Sequence, residues 1–369
     1  MQKKAHAPMP VHYVKECGAK VPWTRVDSGE MLDSDHILKD IKGQKMTYTE
    51  AVRNALAQAL RLDEKVFVMG QGINDEVGMF GATTGLYKEF GEDRVFDTPL
   101  AETGVTGVAV GAAMGGMRPV YCHNRPDFLM LAMDQLVNHA SKYNYMSGGI
   151  CPIPLVIWAV TGQGWGSAAQ HSQALHGMFM HVPGIKIIMP TTPYDVKGLL
   201  LQAIADNNPV LFLDHRRIHN QVGSVPEEMY TIPFGKGVVR KQGKDITILG
   251  ISSMALEALR AEEALRSKGI DAEILDLRTI KPLDIEMIIT SVKKTGRLLI
   301  ADTGWKTGGI SAEISTLVYE RLYRELKAPV ARVSLPDVPT PAAYTLEEAY
   351  YNNAADIVRE AEKSMRSVS

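Results

Sequence analysis

The chain contains three continuous apolar runs that decide its fold class, PLVIWAV (154–160), IKIIMP (185–190) and PVLFLD (209–214). Apolar runs without polar alternation are typical of strands that are covered on both faces, as in parallel sheets. The segment from Asp195 to Ala205, between the last two runs, has the spacing of a helix. Strand, helix and strand in this order predict βαβ units, and therefore an α/β fold with a mostly parallel sheet.

The same alternation extends toward the N-terminus. Thr47 and Glu50 match the S/T-x-x-E capping box at the start of a helical stripe, TYTEAVRNALAQAL (47–60). The run KVFVMG (65–70) then predicts a buried strand. Further predicted elements are a Gly/Ala-rich helix (103–117), a strand (119–121) and a helix (129–143).

A second α/β unit is predicted toward the C-terminus. It follows QVGSVPEEMYTIPFGK (221–236), whose prolines, glycines and acidic residues interrupt the pattern and indicate a linker. The predicted organisation is an N-terminal extension (1–45), a first domain (46–220), the linker and a second domain (237–369). The second unit contains predicted strands at 246–252, 272–277 and 297–302 and predicted helices at 255–267, 283–292 and 310–326.

Composition excludes several classes of protein. The chain has 369 residues with 40 Lys and Arg against 42 Asp and Glu, so it has no global basic field of the kind that binds nucleic acid. Its longest apolar stretch, Ile150–Val160, is 11 residues, whereas a bilayer span needs ~20. Three cysteines and no apolar leader favour a reducing compartment, and we expect a cytoplasmic protein.

Residue chemistry alone does not identify a reaction. The chain has no GxxxxGK[ST], and Gly70-Gln71-Gly72 lacks the third glycine of a dinucleotide fingerprint. Glycines at helical spacing in the Gly/Ala-rich helix indicate either close packing against a neighbour or contact with a ligand. The pair Arg216-Arg217 is either an anion site at a strand end or a solvated loop. His171, His176 and His181 do not share a helical face, which weakens a metal site.

Longer motifs carry a family resemblance. The stretches DTPLAETGVTGVAVGAAMGGMRPV (97–120), MDQLVNHASKYNYMSGG (133–149) and AAQHSQALHGMFMHVPGIKIIMP (168–190), with KPLD (281–284) and TGG (307–309), are similar to a known family. Over roughly residues 46–365 the chain resembles the β subunits of the thiamine-diphosphate-dependent 2-oxo acid dehydrogenases of the pyruvate, branched-chain and acetoin types. The resemblance implies a transketolase-like pyrimidine-binding domain with a parallel sheet flanked by helices, followed by a smaller α/β transketolase C-terminal domain.

The resemblance also implies roles for three residues. Glu102, in the DTP-x-x-E motif, would hydrogen-bond a ring nitrogen of the cofactor's aminopyrimidine and activate the cofactor. His171, in AAQHSQ, would orient the substrate or transfer its protons. Phe128 would place an aromatic ring against the pyrimidine. The plain alternatives are a helix-start cap for Glu102, a satisfied core histidine for His171 and core packing for Phe128.

A monovalent-cation site, for K⁺, is also implied by the family. It would use main-chain carbonyl groups near the QAIADNNP turn, at Leu155, Ala203, Asp206 and Asn208. Carbonyl ligands leave almost no side-chain signature, and a helix-ending turn before Pro209 explains the same residues.

One segment departs from the family pattern. Residues 121–127 read YCHNRPD, and His123 and Arg125 make polar a stretch that borders the cofactor and substrate in the family. Trp165 also departs from the pattern, because small residues are common at this position in the family. We therefore expect His123, Arg125 and Trp165 to influence the substrate, and the identity of the oxo acid stays open.

The chain lacks half of the expected cofactor site. Thiamine-diphosphate enzymes hold Mg²⁺ and the diphosphate with a GDG motif followed by asparagines, and GDG does not occur here. The sequence therefore predicts an α subunit that carries GDG and Mg²⁺, an α2β2 heterotetramer, and activity only in that assembly, with a lipoyl acyltransferase core as a further partner. The expected reaction decarboxylates a 2-oxo acid and transfers the acyl group to a lipoyl carrier. The alternatives are half of a split transketolase-like carboligase for a polar carbonyl substrate, and a non-catalytic scaffold.

Overall fold

The computed structural model describes residues 43–163 and 166–366. Its strands are β1 (Gln44–Thr47), β2 (Val66–Gly70), β3 (Val95–Asp97), β4 (Arg118–His123), β5 (Val156–Thr161), β6 (Lys186–Ile188), β7 (Val210–His215), β8 (Val222–Val225), β9 (Val238–Lys241), β10 (Ile246–Gly250), β11 (Ala272–Asp276), β12 (Thr279–Lys281), β13 (Leu298–Trp305) and β14 (Ala331–Leu335). Its α-helices are Tyr48–Leu62, Leu86–Phe90, Glu102–Met114, Tyr143–Met146, His176–Met180, Pro193–Ala205, Ser253–Ser267, Ile285–Thr295, Ile310–Leu322, Tyr344–Tyr350 and Ala354–Arg366.

The first domain is built on a seven-stranded sheet in the order β12-β6-β7-β5-β4-β2-β3. The six strands β2 to β7 run parallel, as the continuous apolar runs predicted. Both faces are covered: Val66 and Val68 of β2 belong to one apolar core, and Phe67 and Met69 belong to the other. Burial of each such side chain contributes about 1.5–3 kcal/mol, so the two cores account for the sheet's stability.

The first helix confirms its sequence signature. Thr47 and Glu50 form the predicted capping box, in which the Thr47 hydroxyl accepts from the Glu50 amide and the Glu50 carboxylate accepts from the Thr47 amide. The helix Tyr48–Leu62 packs along the helix Pro193–Ala205 and covers one face of the sheet. The capping box matters because it satisfies amide groups that the helix start would otherwise leave unpaired.

The second domain has a five-stranded sheet in the order β14-β13-β10-β11-β9, in which only β9 is antiparallel to its neighbour. One element crosses between the domains. Strand β12 belongs in sequence to the second unit, yet it pairs antiparallel with β6 at the edge of the first sheet. The apolar core on that side also continues from the first domain into the second. The two domains are therefore joined by backbone pairing and by shared core.

Two sequence predictions differ from the structure. The predicted helix 129–143 is a 3₁₀ segment (Pro126–Ala132), a π-helical segment (Asp134–Ala140) and a short α-helix (Tyr143–Met146). The predicted linker 221–236 begins with β8, which pairs antiparallel with β1. Apolar spacing does not distinguish α-, 3₁₀- and π-helical turns, and a short strand in a Pro/Gly-rich stretch leaves little periodic signal.

A buried ion cluster lies where the domains meet. Arg240 of β9 contacts the carboxylates of Asp195, at the start of a first-domain helix, and Asp276, at the end of β11. Arg278 donates to Asp195 at 3.2 Å. Burial alone would lower the pKa of Arg240, but the two carboxylates outweigh it and raise that pKa. The charges compensate one another, so the domain interface depends on every member being present.

Within the described part of the chain, none of the helices has the length and apolarity required to cross a bilayer.

Candidate active site

The candidate residues lie at one edge of the first sheet. Parallel strands place their carboxyl ends together, and ligands of α/β proteins bind in the loops that follow those ends. Strand β4 ends at His123, β5 at Thr161 and β7 at His215, and the loops after them carry Phe128, His171 and Arg216. The structure thus brings the predicted site residues to the carboxyl edge of the sheet, and their roles stay predictions.

Glu102 begins the glycine-rich helix, Glu102–Met114. Its carboxylate is half-buried, and among the described residues no side chain or amide group binds it. A carboxylate at a helix N-terminus is stabilised by the helix dipole. Burial, together with the nearby charge of Glu102, raises the pKa of the Tyr121 phenol to about 12. Glu102 is therefore a half-buried carboxylate at the start of a helix that is available to a ligand.

His123, at the end of β4, is buried within the first domain. It is 4% exposed, its Nε2 is 3.2 Å from Thr106 Oγ1, and its ring packs on Tyr121 at a centroid distance of 4.3 Å. Burial lowers the pKa of His123 to about 3, so the imidazole stays neutral at neutral pH. The structure thus gives His123 a supporting place, and direct substrate contact stays a prediction.

We expect acid to destabilise the chain through His123 and His215. Burial lowers the pKa of both to about 3, against 6.5 for an unperturbed histidine. Below pH 6.5 the two histidines bind protons in the unfolded chain but stay neutral in the folded chain. The free energy of unfolding therefore falls as pH falls, by about 2 kcal/mol per histidine at pH 5. Urea unfolding at pH 7.5 and at pH 5 measures this loss of free energy. In His123→Gln the free energy of unfolding should fall between the two pH values by about 2 kcal/mol less than in wild type. An equal fall in the variant and in wild type would contradict the account.

Phe128 and His171 are brought into contact. Their rings meet edge to face at a centroid distance of 5.1 Å, although 43 positions separate them in sequence. Next to Phe128, Asp127 Oδ1 accepts from the backbone amide of Gln173 at 3.3 Å and from its side-chain Nε2 at 2.7 Å. Phe128 is half-buried and His171 is exposed, so the pair forms an accessible aromatic wall with an imidazole at its end.

Arg125 supports the loop after β5. It is buried, and its guanidinium donates to the carbonyl oxygens of Val160 at 3.4 Å and Gly162 at 3.0 Å. Gly162 has φ +91°, and a Cβ there would lie 2.6 Å from the His215 ring, so the loop fits closely onto the strand end. Arg125 therefore uses its Nη1 within the chain, and substrate contact by Arg125 stays a prediction.

The arginine pair after β7, Arg216-Arg217, contacts other groups of the chain. The Arg216 guanidinium lies 4.6 Å from the centroid of the Phe80 ring, and its Nη1 is 2.9 Å from His219 Nδ1. Arg217 pairs with the buried Glu257 at 3.7 Å. Both arginines thus have partners within the chain, although Arg217 is exposed, and an anion site at this pair stays a prediction.

Trp165 lies outside the described residues, so its predicted place at the pocket mouth stays a prediction. Of the residues predicted for K⁺, Ala203, Asp206 and Asn208 lie at the helix end and turn before β7. Leu155, directly before β5, lies next to the start of β7, where its carbonyl oxygen accepts from the Val210 amide at 2.9 Å. Arg118 donates to the Asp206 carbonyl at 3.1 Å, and Lys186 pairs with the Asp206 carboxylate. Two side-chain cations already contact the turn. Each carbonyl has a second lone pair, so the cation site stays a prediction.

The glycine-rich helix buries Val105, Ala109 and Val110 in the core, but its glycine-bearing side does not pack closely within the described chain. A Cβ added at Gly104 or Gly111 would meet nothing within 4 Å, and Gly107 has only Gln135 at 3.7 Å. On the same side Val108 is 65% exposed. Close packing against a neighbour in the same chain was therefore the wrong interpretation of these glycines. The helix that begins at Glu102 presents an open apolar face.

Comparison with known proteins agrees with this architecture. Residues 44–221 match the model of the transketolase pyrimidine-binding domain, and residues 235–357 match that of the transketolase C-terminal domain. A solved split-gene transketolase, described as an inactive β4 tetramer, superposes with a TM-score of 0.72 at 22% identity, over 88% of this chain and 99% of that one. Fold and site edge together define a transketolase-like protein with a pyrimidine-binding domain.

Three relatives identify the family more closely. The β subunit of acetoin:2,6-dichlorophenolindophenol oxidoreductase of Cupriavidus necator is 41% identical over 88% of this chain and 98% of that protein. The 2-oxoisovalerate dehydrogenase subunit β of Bacillus subtilis is 42% identical over 84% of this chain and 95% of that protein. The pyruvate dehydrogenase E1 component subunit β of B. subtilis is 42% identical over 86% of this chain and 98% of that protein. The chain belongs to the family of β subunits of thiamine-diphosphate-dependent 2-oxo acid dehydrogenases. These are oxidoreductase subunits that work with α subunits.

The residues at the site suit the pyrimidine end of thiamine diphosphate. A carboxylate that has no partner among the described residues can bind a ring nitrogen, and the accessible Phe128 ring can pack on an aromatic heterocycle. Among the described residues, no three His, Cys, Asp or Glu side chains cluster as metal ligands. The site residues thus suit the pyrimidine end of the cofactor, and the place of the Mg²⁺-diphosphate stays a prediction.

Sequence reasoning missed the groups that support the site. His176 lies against Asp302 of the second domain, and both are fully buried. His176 was considered only as a metal ligand, because nothing in the sequence pairs two residues 126 positions apart. The glycines at 304 and 308–309 were the available signal, since glycine permits close approach of backbones.

Proposed function

We propose that this chain supplies the pyrimidine half of a thiamine-diphosphate site, and that an α subunit with a GDG motif supplies Mg²⁺ and the diphosphate half in an α2β2 heterotetramer. The observation that carries the proposal is the Glu102 carboxylate, which begins a helix at the site edge and has no partner among the described residues. The absence of GDG from the sequence and the open apolar face of the same helix support a second chain.

The proposed reaction is decarboxylation of a 2-oxo acid and transfer of the acyl group to a lipoyl carrier on an acyltransferase core. The names of the relatives support the substrate class, because two of them are dehydrogenases of pyruvate and of 2-oxoisovalerate. The bound cofactor supplies the electron sink for decarboxylation. The residues of this chain supply orientation and proton transfer.

Three residues have proposed roles. Glu102 holds a proton between its carboxyl oxygen and the pyrimidine ring nitrogen. Phe128 packs against the pyrimidine ring. His171 is exposed at the end of the Phe128 ring, where its imidazole can give or take a proton at the substrate oxygen.

The other predicted roles stay proposals. His123 and Arg125 would shape the substrate site from behind, through Tyr121 and the Gly162 loop, and Trp165 would contact the substrate. A monovalent cation would bind carbonyl groups at the turn of Asp206. Residues 46–220 and 237–369 would be the folding units on either side of the linker, and the compartment would be the cytoplasm.

The test is a comparison of acceptors with the purified α and β chains, thiamine diphosphate, Mg²⁺ and a panel of 2-oxo acids. We expect acylation of a lipoyl domain and no activity from either chain alone. Ligation to an aldehyde without lipoyl acylation would identify the carboligase alternative instead. Full activity of the α chain without this chain would identify a scaffold.

A further inference from the structure

The segment that carries His171, residues 168–182, has little regular structure of its own. Ala168 has a φ of +56°, and the helix within the segment, His176–Met180, is five residues long. A helix this short is not stable by itself, and an irregular loop has many conformations of similar energy. The position of the His171 imidazole must therefore be set by what the segment contacts.

One contact lies within the first domain. Gln173 donates twice to Asp127 Oδ1, from its amide nitrogen and from its side chain, and Asp127 directly precedes Phe128. This contact fixes the segment close to the aromatic ring, two positions after His171. It leaves the direction of the chain beyond Gln173 undetermined.

A second contact comes from the C-terminal domain. His176 Nε2 is 3.0 Å from Asp302 Oδ1 on β13, and the two side chains are 1% and 0% exposed. The Asp302 carboxylate is itself fixed, because its Oδ1 also accepts from the Gly304 amide at 3.1 Å. A buried hydrogen bond of this kind is strong and directional, so it orients the segment at His176.

Glycines on both sides allow the two backbones to approach. A Cβ at Gly304 would lie 2.9 Å from His176 Cε1, and a Cβ at Gly177 would lie 3.4 Å from the Gly308 carbonyl oxygen. At the far end, Lys281 Nζ donates to the carbonyl oxygens of Met180 and Val182, each at 2.8 Å. The second domain thus holds the segment at its middle and at its end.

We propose that Asp302 is a positioning residue: through His176 it determines where the His171 imidazole stands relative to Phe128. The inference rests on the proposed role of His171. It assigns the C-terminal domain a part in the chemistry of the pyrimidine-binding domain, because displacement of a proton-transferring group by about 1 Å costs about 100-fold in rate.

The experiment compares three variants in complex with the α subunit. Asp302→Ala removes the acceptor. Asp302→Asn keeps an oxygen that accepts from His176 Nε2–H and so restores the contact. Ser291→Ala is the control: it removes a buried hydrogen bond to Thr247, 2.7 Å long, in the same domain but without contact to the His171 segment. The measurements are hydrogen exchange of residues 168–182, kcat and KM for the 2-oxo acid.

In Asp302→Ala we expect exchange of residues 168–182 to rise by about tenfold and kcat to fall by about 10- to 100-fold, with KM within about threefold of wild type. Asp302→Asn should recover most of both losses, and Ser291→Ala should change neither. Faster exchange with unchanged kcat, or an equal loss of kcat in Ser291→Ala, would overturn the proposal. Hydrogen exchange can be measured without turnover, so the two proposals can fail separately. A wild-type complex without 2-oxo acid activity would overturn the proposed function. Unchanged exchange in Asp302→Ala would overturn this inference.

Discussion

The variant Glu102→Gln is expected to lower kcat of the complex with the α subunit by about 10²- to 10⁴-fold, the range for a lost acid–base group. A carboxyl group can hold or release a proton at the pyrimidine nitrogen, whereas an amide cannot. The carboxylate has no partner among the described residues and loses only its interaction with the helix dipole, so the free energy of unfolding should stay within about 1 kcal/mol of wild type. Steady-state kinetics and urea unfolding of the same preparation separate the two effects.

The matched control is Glu92→Gln. Glu92 is also a carboxylate before the glycine-rich helix, but it is exposed in the turn before β3. It should retain wild-type kcat. If Glu102→Gln turns over as fast as Glu92→Gln, Glu102 does not activate the cofactor and the non-catalytic scaffold becomes the better explanation.

The variant Arg240→Met is expected to destabilise the chain by about 3–5 kcal/mol, because it leaves two buried carboxylates without their main counter-charge. Burial would raise the pKa of Asp195, and at present Arg240 and Arg278 hold it lowered. Without Arg240, the remaining charge of Arg278 does not compensate for both carboxylates. Urea unfolding at neutral pH measures the loss.

Arg61→Met provides the comparison for Arg240. Arg61 also pairs with one carboxylate, that of Glu89, but its side chain is 56% exposed. Exposed pairs contribute about 0–1 kcal/mol. An effect of Arg240→Met as small as that of Arg61→Met would mean that the cluster does not join the two domains.

The fold was largely predictable because its central strands are covered on both faces. Such strands need unbroken apolar runs, and 154–160, 185–190 and 209–214 show them directly. The edge elements carry no such signal. Strand β12 has only three residues, and it pairs with a sheet of the other domain, so its place depends on tertiary contacts that no local pattern contains.

The candidate site was predictable in part, for a related reason. Glu102 and His171 lie in long motifs, Phe128 lies between two of them, and the structure places Phe128 and His171 in contact. Their support was not predictable. His123 and Arg125 have polar side chains that suggest substrate contact, yet both are buried and hydrogen-bonded within the chain. Burial of a polar residue is decided by partners distant in sequence, here Thr106 and Gly162.

The central claim is that this chain holds half of a cofactor site, and calorimetric titration of thiamine diphosphate with Mg²⁺ tests it most directly. The titration is made into this chain alone, into the α subunit alone and into their mixture. We predict one tight site per αβ pair in the mixture, binding at least about 100-fold weaker to either chain alone, and loss of affinity in the mixture with Glu102→Gln. Tight, stoichiometric binding to this chain by itself would contradict the account.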